Sequence, residues 1–456
     1  MRWTLALLGA CVAVSVAHAN GRPPLTNGIY LRSTDPHSLY VRTTFGLLVS
    51  HDDGCSFRWV CEKAIGYGGE FDPKYAIADD GTIFATTFTG LRVSRDGGCS
   101  WETATAGEAA SAPGRIADMW IDGIDIAPTG DVWVVTADSG RPNNVYRSTD
   151  NGVTFTPSSL SSAQIWWKSV EVARSRPQRI YITGYQVAPV VQAHLRSSDD
   201  DGVTWTPHPL ASTMKLGTTP VILIAAVDPT DPQHLFVRSI AANPPEGDVL
   251  YRSTDGGVTL TEVVTTRDPV RDVVFRKDGS VVIATLSSGT YVMAKDGTLT
   301  PLGEVLPNAP DITPPRLGCL AEQADGTLVA CGANWQPDYM AVGNGPSPVG
   351  MKKLFRFVEL AGTLSCPAGT TSATQCDPQW PALQQQFGAT GPAASCPGVI
   401  PPPAPPPDAA SSTKKLAGGC CDSGGAPASS ALAGIVVGLL ALRRRRAHTG
   451  ASRQLG

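Results

Sequence analysis

Five aspartates recur in one setting along the chain, with a serine two residues before, a glycine two residues after, and a hydroxyl and a bulky apolar residue beyond. The copies run Ser50-x-Asp52-x-Gly54-x-Ser56-Phe57, Ser94-x-Asp96-x-Gly98-x-Ser100-Trp101, Ser148-x-Asp150-x-Gly152-x-Thr154-Phe155, Ser198-x-Asp200-x-Gly202-x-Thr204-Trp205 and Ser253-x-Asp255-x-Gly257-x-Thr259-Leu260. A worn sixth copy stands at Lys295-Asp296-Gly297-Thr298. A carboxylate so placed can exchange a proton, bind a cation, or hold a turn by accepting hydrogen bonds from nearby amides and hydroxyls. Ser198-Asp199-Asp200-Asp201-Gly202 is acidic enough to suggest a metal. A calcium loop would need a glutamate near its twelfth position, where this chain has apolar residues and proline. The turn reading is the better one: the aspartate ties its own turn, and the glycine takes the positive φ the turn demands. No cofactor and no metal are expected. His37, His51, His194, His208 and His234 lack ligand spacing, and the chain has no His-Glu-x-x-His, Gly-x-Ser-x-Gly or phosphate-binding glycine loop.

The cysteines carry the second chemistry. Cys55, Cys61, Cys99, Cys319, Cys331, Cys366, Cys376, Cys396, Cys420 and Cys421 lie beyond the first 19 residues. In an oxidising compartment most of them would pair, although spacing alone does not fix the pairing. Cys319 and Cys331 fall on two strands of one expected hairpin around Asp325-Gly326, within reach of a disulfide. Cys366–Cys376 would close a short loop, and Cys55–Cys61 would bridge the turn after the first aspartate repeat. Cys55 and Cys99 occupy equivalent places in successive repeats, too far apart to bond to each other. That leaves Cys99 with Cys396 by elimination.

These residues sit in a longer period. A strand with a bulky or β-branched centre precedes each aspartate turn: Leu39-Tyr40-Val41, Ile83-Phe84-Ala85, Val132-Trp133-Val134, Ile180-Tyr181-Ile182, Leu235-Phe236-Val237, Val281-Val282-Ile283 and Leu328-Val329-Ala330. Their centres are 44, 49, 48, 55, 46 and 47 residues apart. Each unit reads strand, turn, strand, loop, strand, aspartate turn, strand. Four antiparallel strands in roughly 45–50 residues is the size of one propeller blade. One such sheet cannot cover both its faces, and a ring of them can. The expected fold is therefore all-β, a seven-bladed β-propeller of four-stranded antiparallel blades over residues 20–365. A sandwich would not repeat at so long a period, and β-helix coils are shorter. The motif resembles the Asp-box (BNR) repeat of sialidases and many non-enzymatic propellers. Sialidases use an arginine triad, a tyrosine–glutamate pair and an aspartate, with the first arginine in Arg-Ile-Pro. Here Arg115-Ile116 is followed by Ala117, Arg179-Ile180 leads into Tyr181, and no triad can be assigned. Trp120, Trp166 and Trp167 read as blade packing rather than stacking platforms. Tyr185-Gln186 and Arg141-Pro142-Asn143-Asn144 read as more exposed loop contacts.

Both ends carry addresses. Met1-Arg2, an apolar run from Leu5 to Val16 and Ala17-His18-Ala19 form a secretory signal over residues 1–19. Residues 366–396 form a disulfide-tied tail, read as a cap on the last blade, with one helical stretch from Trp380 to Phe387. Residues 397–419 form a proline-rich linker. The segment 420–446 joins Cys420-Cys421 to an apolar run, Ala428 to Leu442, and to Arg443-Arg444-Arg445-Arg446, ahead of a cytoplasmic tail at 447–456. This segment resembles the myxobacterial C-terminal sorting signal (MYXO-CTERM). The resemblance implies a sorting protease that cleaves near the cysteines and a product retained on the surface through Cys420 or Cys421. Without both ends the chain keeps 30 basic and 39 acidic residues, an acidic body with no basic stripe for nucleic acid. The expected protein is a monomeric, non-catalytic binding propeller, anchored to the envelope and facing outward, for a surface protein or polysaccharide. A sialidase-like or other carbohydrate-active enzyme, hydrolase or lyase, is the alternative.

Overall fold

The computed structural model describes residues 23–69, 71–240, 247–285, 288–302, 317–332 and 338–392. The secretory signal, the linker and the sorting segment lie outside the described residues. Seven four-stranded antiparallel sheets follow one another, each built from consecutive strands, numbered β1 to β28 in chain order. The expected bulky-centred runs are the second strands of all seven sheets: β2 (Asp35–Thr43), β6 (Ile83–Thr87), β10 (Val132–Thr136), β14 (Ile180–Gln186), β18 (Leu235–Ser239), β22 (Val281–Thr285) and β26 (Leu328–Gly332). Tyr40, Phe84, Trp133, Tyr181 and Phe236 at their centres are almost wholly buried. The apolar clusters join side chains of neighbouring sheets, so the core lies between blades.

The first strands stand innermost: β1 (Thr26–Arg32), β5 (Tyr75–Ile77), β9 (Ile121–Ile126), β13 (Trp166–Val172), β17 (Ile222–Val227), β21 (Val270–Phe275) and β25 (Leu317–Glu322). Each touches the next, and β25 returns to β1, closing the ring. Side chains of one blade stitch it to the first strand of the next. Asp125 Oδ2 accepts from Val172 N (2.8 Å), Ser169 Oγ from Ile224 N (3.1 Å), Asp248 Oδ2 from Val270 N (3.0 Å) and Asp272 Oδ2 from Leu320 N (2.8 Å). Between blades one and seven, Thr26 Oγ1 donates to Ala341 O (2.8 Å).

Many closed rings complete one sheet with strands from both chain ends. Among the described residues no sheet does so. A strap after β28 (Lys352–Arg356) closes the seam instead. Residues 361–364 run parallel to β4 (Arg58–Cys61), with Trp59 N donating to Gly362 O (2.9 Å) and Leu364 N to Trp59 O (2.9 Å). Two short helices follow, α1 (Thr371–Cys376) and α2 (Trp380–Phe387). Phe387 stacks on Phe357 at 5.1 Å and meets Phe45 edge-on at 5.0 Å. The tail therefore spans from blade seven across blades one and two, a correction to the cap expected on the last blade alone.

The disulfides follow the strap. Cys61 bonds to Cys376 and Cys99 to Cys366, across 315 and 267 residues. The short loops expected for Cys55–Cys61 and Cys366–Cys376, and the Cys99–Cys396 pair, do not form. Docking of the tail on the first two blades brings distant cysteines within 5.3 and 5.4 Å (Cα–Cα), which spacing along the chain does not reveal. Cys319 and Cys331 face each other across one hairpin and are bonded, Cα–Cα 4.9 Å. Cys55 is disulfide-bonded as well. Disulfides of this number mark an exported protein.

Candidate functional site: the channel mouth

Antiparallel alternation sorts the connections to two ends of the ring. The starts of the innermost strands and the loops between second and third strands share one end. The loops between third and fourth strands, which hold the aspartate turns, share the other. At those turns the geometry is uniform. Asp52 Oδ1 accepts from Ser50 Oγ (2.7 Å) and Ser56 N (2.9 Å), and Oδ2 accepts from Ser56 Oγ (2.6 Å). Asp150, Asp200 and Asp255 repeat the pattern with Thr154, Thr204 and Thr259, and Asp96 accepts from Ser94 Oγ and Ser100 N. The Thr204 and Thr259 hydroxyls and amides hold the Asp200 and Asp255 carboxyls below their usual range. These five carboxylates stand one to a blade and do not converge. Among the described residues no group of histidine, cysteine and acidic side chains is placed to hold a metal, and no helix is long and apolar enough to cross a membrane.

The opposite end opens on a central cavity of about 350 Å³. Its wall is built by an irregularity of the innermost strands. Six of the seven carry one residue more than their partner: Asn27, Asp122, Lys168, Ala225, Arg271 and Gly318. A bulge re-aims its side chain and breaks the two-residue alternation. Four of the six are polar, and they sit near the strand starts, at the mouth.

Cations gather there. Arg42 comes from the second strand of blade one and reaches the cavity across Gly28. A Cβ at Gly28 would stand 3.2 Å from both Arg42 Cβ and Arg42 Nε, so the guanidinium occupies the space that glycine leaves. Arg42 Nε donates to Asn27 Oδ1 (2.8 Å) and its Nη2 to Asn27 O. Lys74 Nζ donates to Asp122 O (2.6 Å) and Lys168 O (3.1 Å) and lies 3.7 Å from Asp122 Oδ1. Lys168 pairs with Asp122 Oδ2. Arg238 Nη1 donates to Val270 O and lies 3.5 Å from Asp248. Arg271 is exposed. Burial pulls the Lys74 ammonium down, and Asp122 opposes it.

Two acids line the same wall. Burial, helped by the Asp125 charge, pushes the Glu171 carboxyl up to about 8. Burial also raises Asp272, to about 6, against hydrogen bonds from Leu320 N and Val273 N. At neutral pH Glu171 is protonated and Asp272 mostly ionised.

Beside the mouth runs an aromatic row. Phe71 packs on Phe88 (4.4 Å), Phe88 meets Trp120 edge-on (4.8 Å), and Lys168 Nζ lies 4.9 Å from the Trp120 ring centroid. Phe88 tips the hairpin between β6 and β7 (Gly90–Ser94) and is 49% exposed. Trp120 and Trp166 are half-buried, Trp167 is fully packed, and Trp166 leans edge-on to Tyr185 at 5.4 Å. The loop residues expected at the surface divide: Arg141 and Pro142 are exposed, whereas Tyr185, Asn143 and Asn144 are buried. Asn143 turns inward because its side chain closes a loop, accepting from Asp138 N (2.6 Å) and donating to Asp138 O (2.9 Å).

Sequence reasoning missed the channel set of Arg42, Lys74, Glu171, Arg238, Arg271 and Asp272. A signal for it existed. A charged residue interrupts the apolar alternation at the start of several innermost strands, as in Lys74 before Tyr75-Ala76-Ile77 and Arg271-Asp272 before Val273-Val274.

The fold and its channel define a seven-bladed propeller, and solved structures of that class resemble it. An ancestral GH74 enzyme superposes with TM-score 0.51 at 13% identity, covering 71% of this chain and 45% of its own. The extracellular domain of a putative one-component system from B. thetaiotaomicron gives 0.49 at 13% identity, covering 72% and 39%. Virginiamycin B lyase from Staphylococcus aureus gives 0.42 at 12% identity, covering 69% and 94%. The chain thus spans less than half the length of the first two. At these identities the likeness concerns the fold alone. No family model matches the chain, and no curated protein matches it in sequence.

Proposed function

We propose that the chain is an exported binding propeller, held at the cell surface by its C-terminal segment, which receives a polysaccharide at the mouth of its central channel. The observation that carries this reading is the aromatic row Phe71–Phe88–Trp120 beside a polar, open cavity. Apolar planes next to convergent polar groups suit a ligand with apolar ring faces and many hydroxyls. The test is affinity electrophoresis of the purified chain through gels cast with single polysaccharides. At least one polymer should retard the wild type, and Phe88→Ala should migrate freely in that gel. Equal migration of the two in every gel would end the reading.

A carbohydrate-active enzyme is the second reading, favoured by one observation: two acids, Glu171 and Asp272, line the same channel wall, and burial raises Glu171 further than Asp272. Such a pair supplies a proton donor and a base. Release of reducing ends from a retarding polymer, abolished in Glu171→Gln, would favour it. Stable polymer would leave binding as the function.

For the anchor, removal of residues 420–456 is expected to release the protein into the medium. Retention on the cells would exclude the sorting segment as the tether.

A further inference from the structure

Not every side chain at the mouth is equally occupied. Of the charged side chains lining the cavity itself, four are cations (Arg42, Lys74, Arg238, Arg271) and two are acids (Glu171, Asp272). A guanidinium carries five donors. The protein's own bonds use two of Arg42's and one of Arg238's, and Arg271 donates none among the described residues. The nearby acids are engaged. Asp272 accepts two backbone amides, Asp248 accepts Val270 N, Asp268 accepts Ser288 N and Oγ, and Asp122 is taken by Lys168 and Lys74. Glu171, uncharged at neutral pH, offers a hydroxyl rather than a negative charge. The cavity therefore presents spare donors, and its ionised acids already hold hydrogen bonds or ion pairs within the protein, in a body that is acidic as a whole. The aromatic row joins this wall without a gap, since Trp120 meets Lys168, Lys168 binds Asp122, and Asp122 meets Lys74.

We infer that the polysaccharide is acidic, with one carboxylate seated among Arg42, Arg238 and Arg271 and a neighbouring sugar ring laid against Phe88 and Trp120. This rests on the binding reading above and names its ligand class. A carboxylate takes two parallel N–H donors from a guanidinium, and the low-dielectric wall strengthens that pairing. The ring beside it covers the aromatic face that water now meets. A polyuronate offers both groups on adjacent residues of one chain. A neutral glucan offers only the second, and gains nothing from the spare guanidinium donors.

Isothermal titration of the full chain against polygalacturonate, and against the same polymer after chemical reduction of its carboxyls, decides the matter. Polygalacturonate should bind, and the reduced polymer should bind at least tenfold more weakly. Raising the salt from 50 to 300 mM should weaken only the acidic polymer. Arg271→Gln, an exposed position that folding does not need, should cost roughly tenfold toward polygalacturonate and leave the reduced polymer unchanged. Phe88→Ala should weaken both polymers alike. Equal binding of the two polymers, or an Arg271→Gln variant with wild-type affinity, would overturn the acidic ligand while leaving polysaccharide binding intact. If neither polymer binds and no other polysaccharide retards the chain, the broader reading fails with it. Thermal midpoints of both variants within about 2 °C of wild type certify that the fold is kept.

Discussion

Glu171 holds its proton in the folded channel to about pH 8, whereas an unfolded glutamate loses it near its ordinary value of 4.5. Between those values the unfolded chain binds fewer protons than the folded one, so stability falls as pH rises through that window. Glu171→Gln removes the effect. Its thermal midpoint should match wild type near pH 4.5 and exceed it at pH 8. Identical pH–stability curves for the two proteins would refute this account of the residue. The turn aspartates work in the opposite sense. The Asp200 and Asp255 carboxyls are held low by threonine hydroxyls and amides, so their stabilisation is present at neutral pH and is lost as pH drops below the ordinary carboxylate value. Burial sets how much each is needed. Asp52 is 9% exposed and accepts three hydrogen bonds from Ser50 and Ser56. Asp52→Ala strands those donors and should cost about 2–3 kcal/mol in denaturant unfolding. Asp200→Ala, at an exposed turn, should cost clearly less.

At the scale of the element, the aspartate turn does more than reverse the chain. Its glycine is also a packing surface. Gly152, in blade three, has φ +76°, and a Cβ there would stand 2.4 Å from Cε1 of Phe84 at the centre of blade two. Gly202 meets Trp133 of blade three in the same way, at 2.8 Å. The serine and aspartate shape the turn, and the glycine lets it settle on the bulky centre of the preceding blade. Gly152→Ala therefore meets both a strained backbone and a rigid ring, and should lower stability by about 2–4 kcal/mol. An unchanged unfolding midpoint would show that the blades do not rest on these turns. The innermost strands have the complementary design. Their bulges sacrifice regular pairing at the mouth and bring Asn27, Asp122, Lys168 and Arg271 there.

At the scale of the whole molecule, the question is how the ring stays shut when every sheet is local in sequence. The strap supplies the long-range link, with β-type pairing to blade one, a cluster of three phenylalanines and two disulfides. Covalent closure of loops this long restricts the unfolded chain most. The paired change Cys61→Ser with Cys376→Ser should lower the thermal midpoint by about 5–10 °C, whereas opening the 12-residue Cys319–Cys331 loop should cost less. The reverse order in calorimetry would count against the strap as the closing device.

Repetition made much of this architecture legible in the sequence. Seven bulky-centred runs at near-constant spacing can bury themselves only by stacking, so blade number, strand order and the place of the aspartate turns follow from local patterns. Cys319 and Cys331 were equally legible, because one hairpin brings them together. What local pattern cannot encode is closure. The partners of Cys61, Cys99, Cys366 and Cys376 depend on where the tail lands after seven blades have turned a full circle. The channel depends on it too, for Arg42, Lys74, Arg238 and Arg271 come from four different blades and are unremarkable in each. Only the rotation of one sheet against the next aims them at a common axis, and that rotation is set by packing between blades rather than by any single segment.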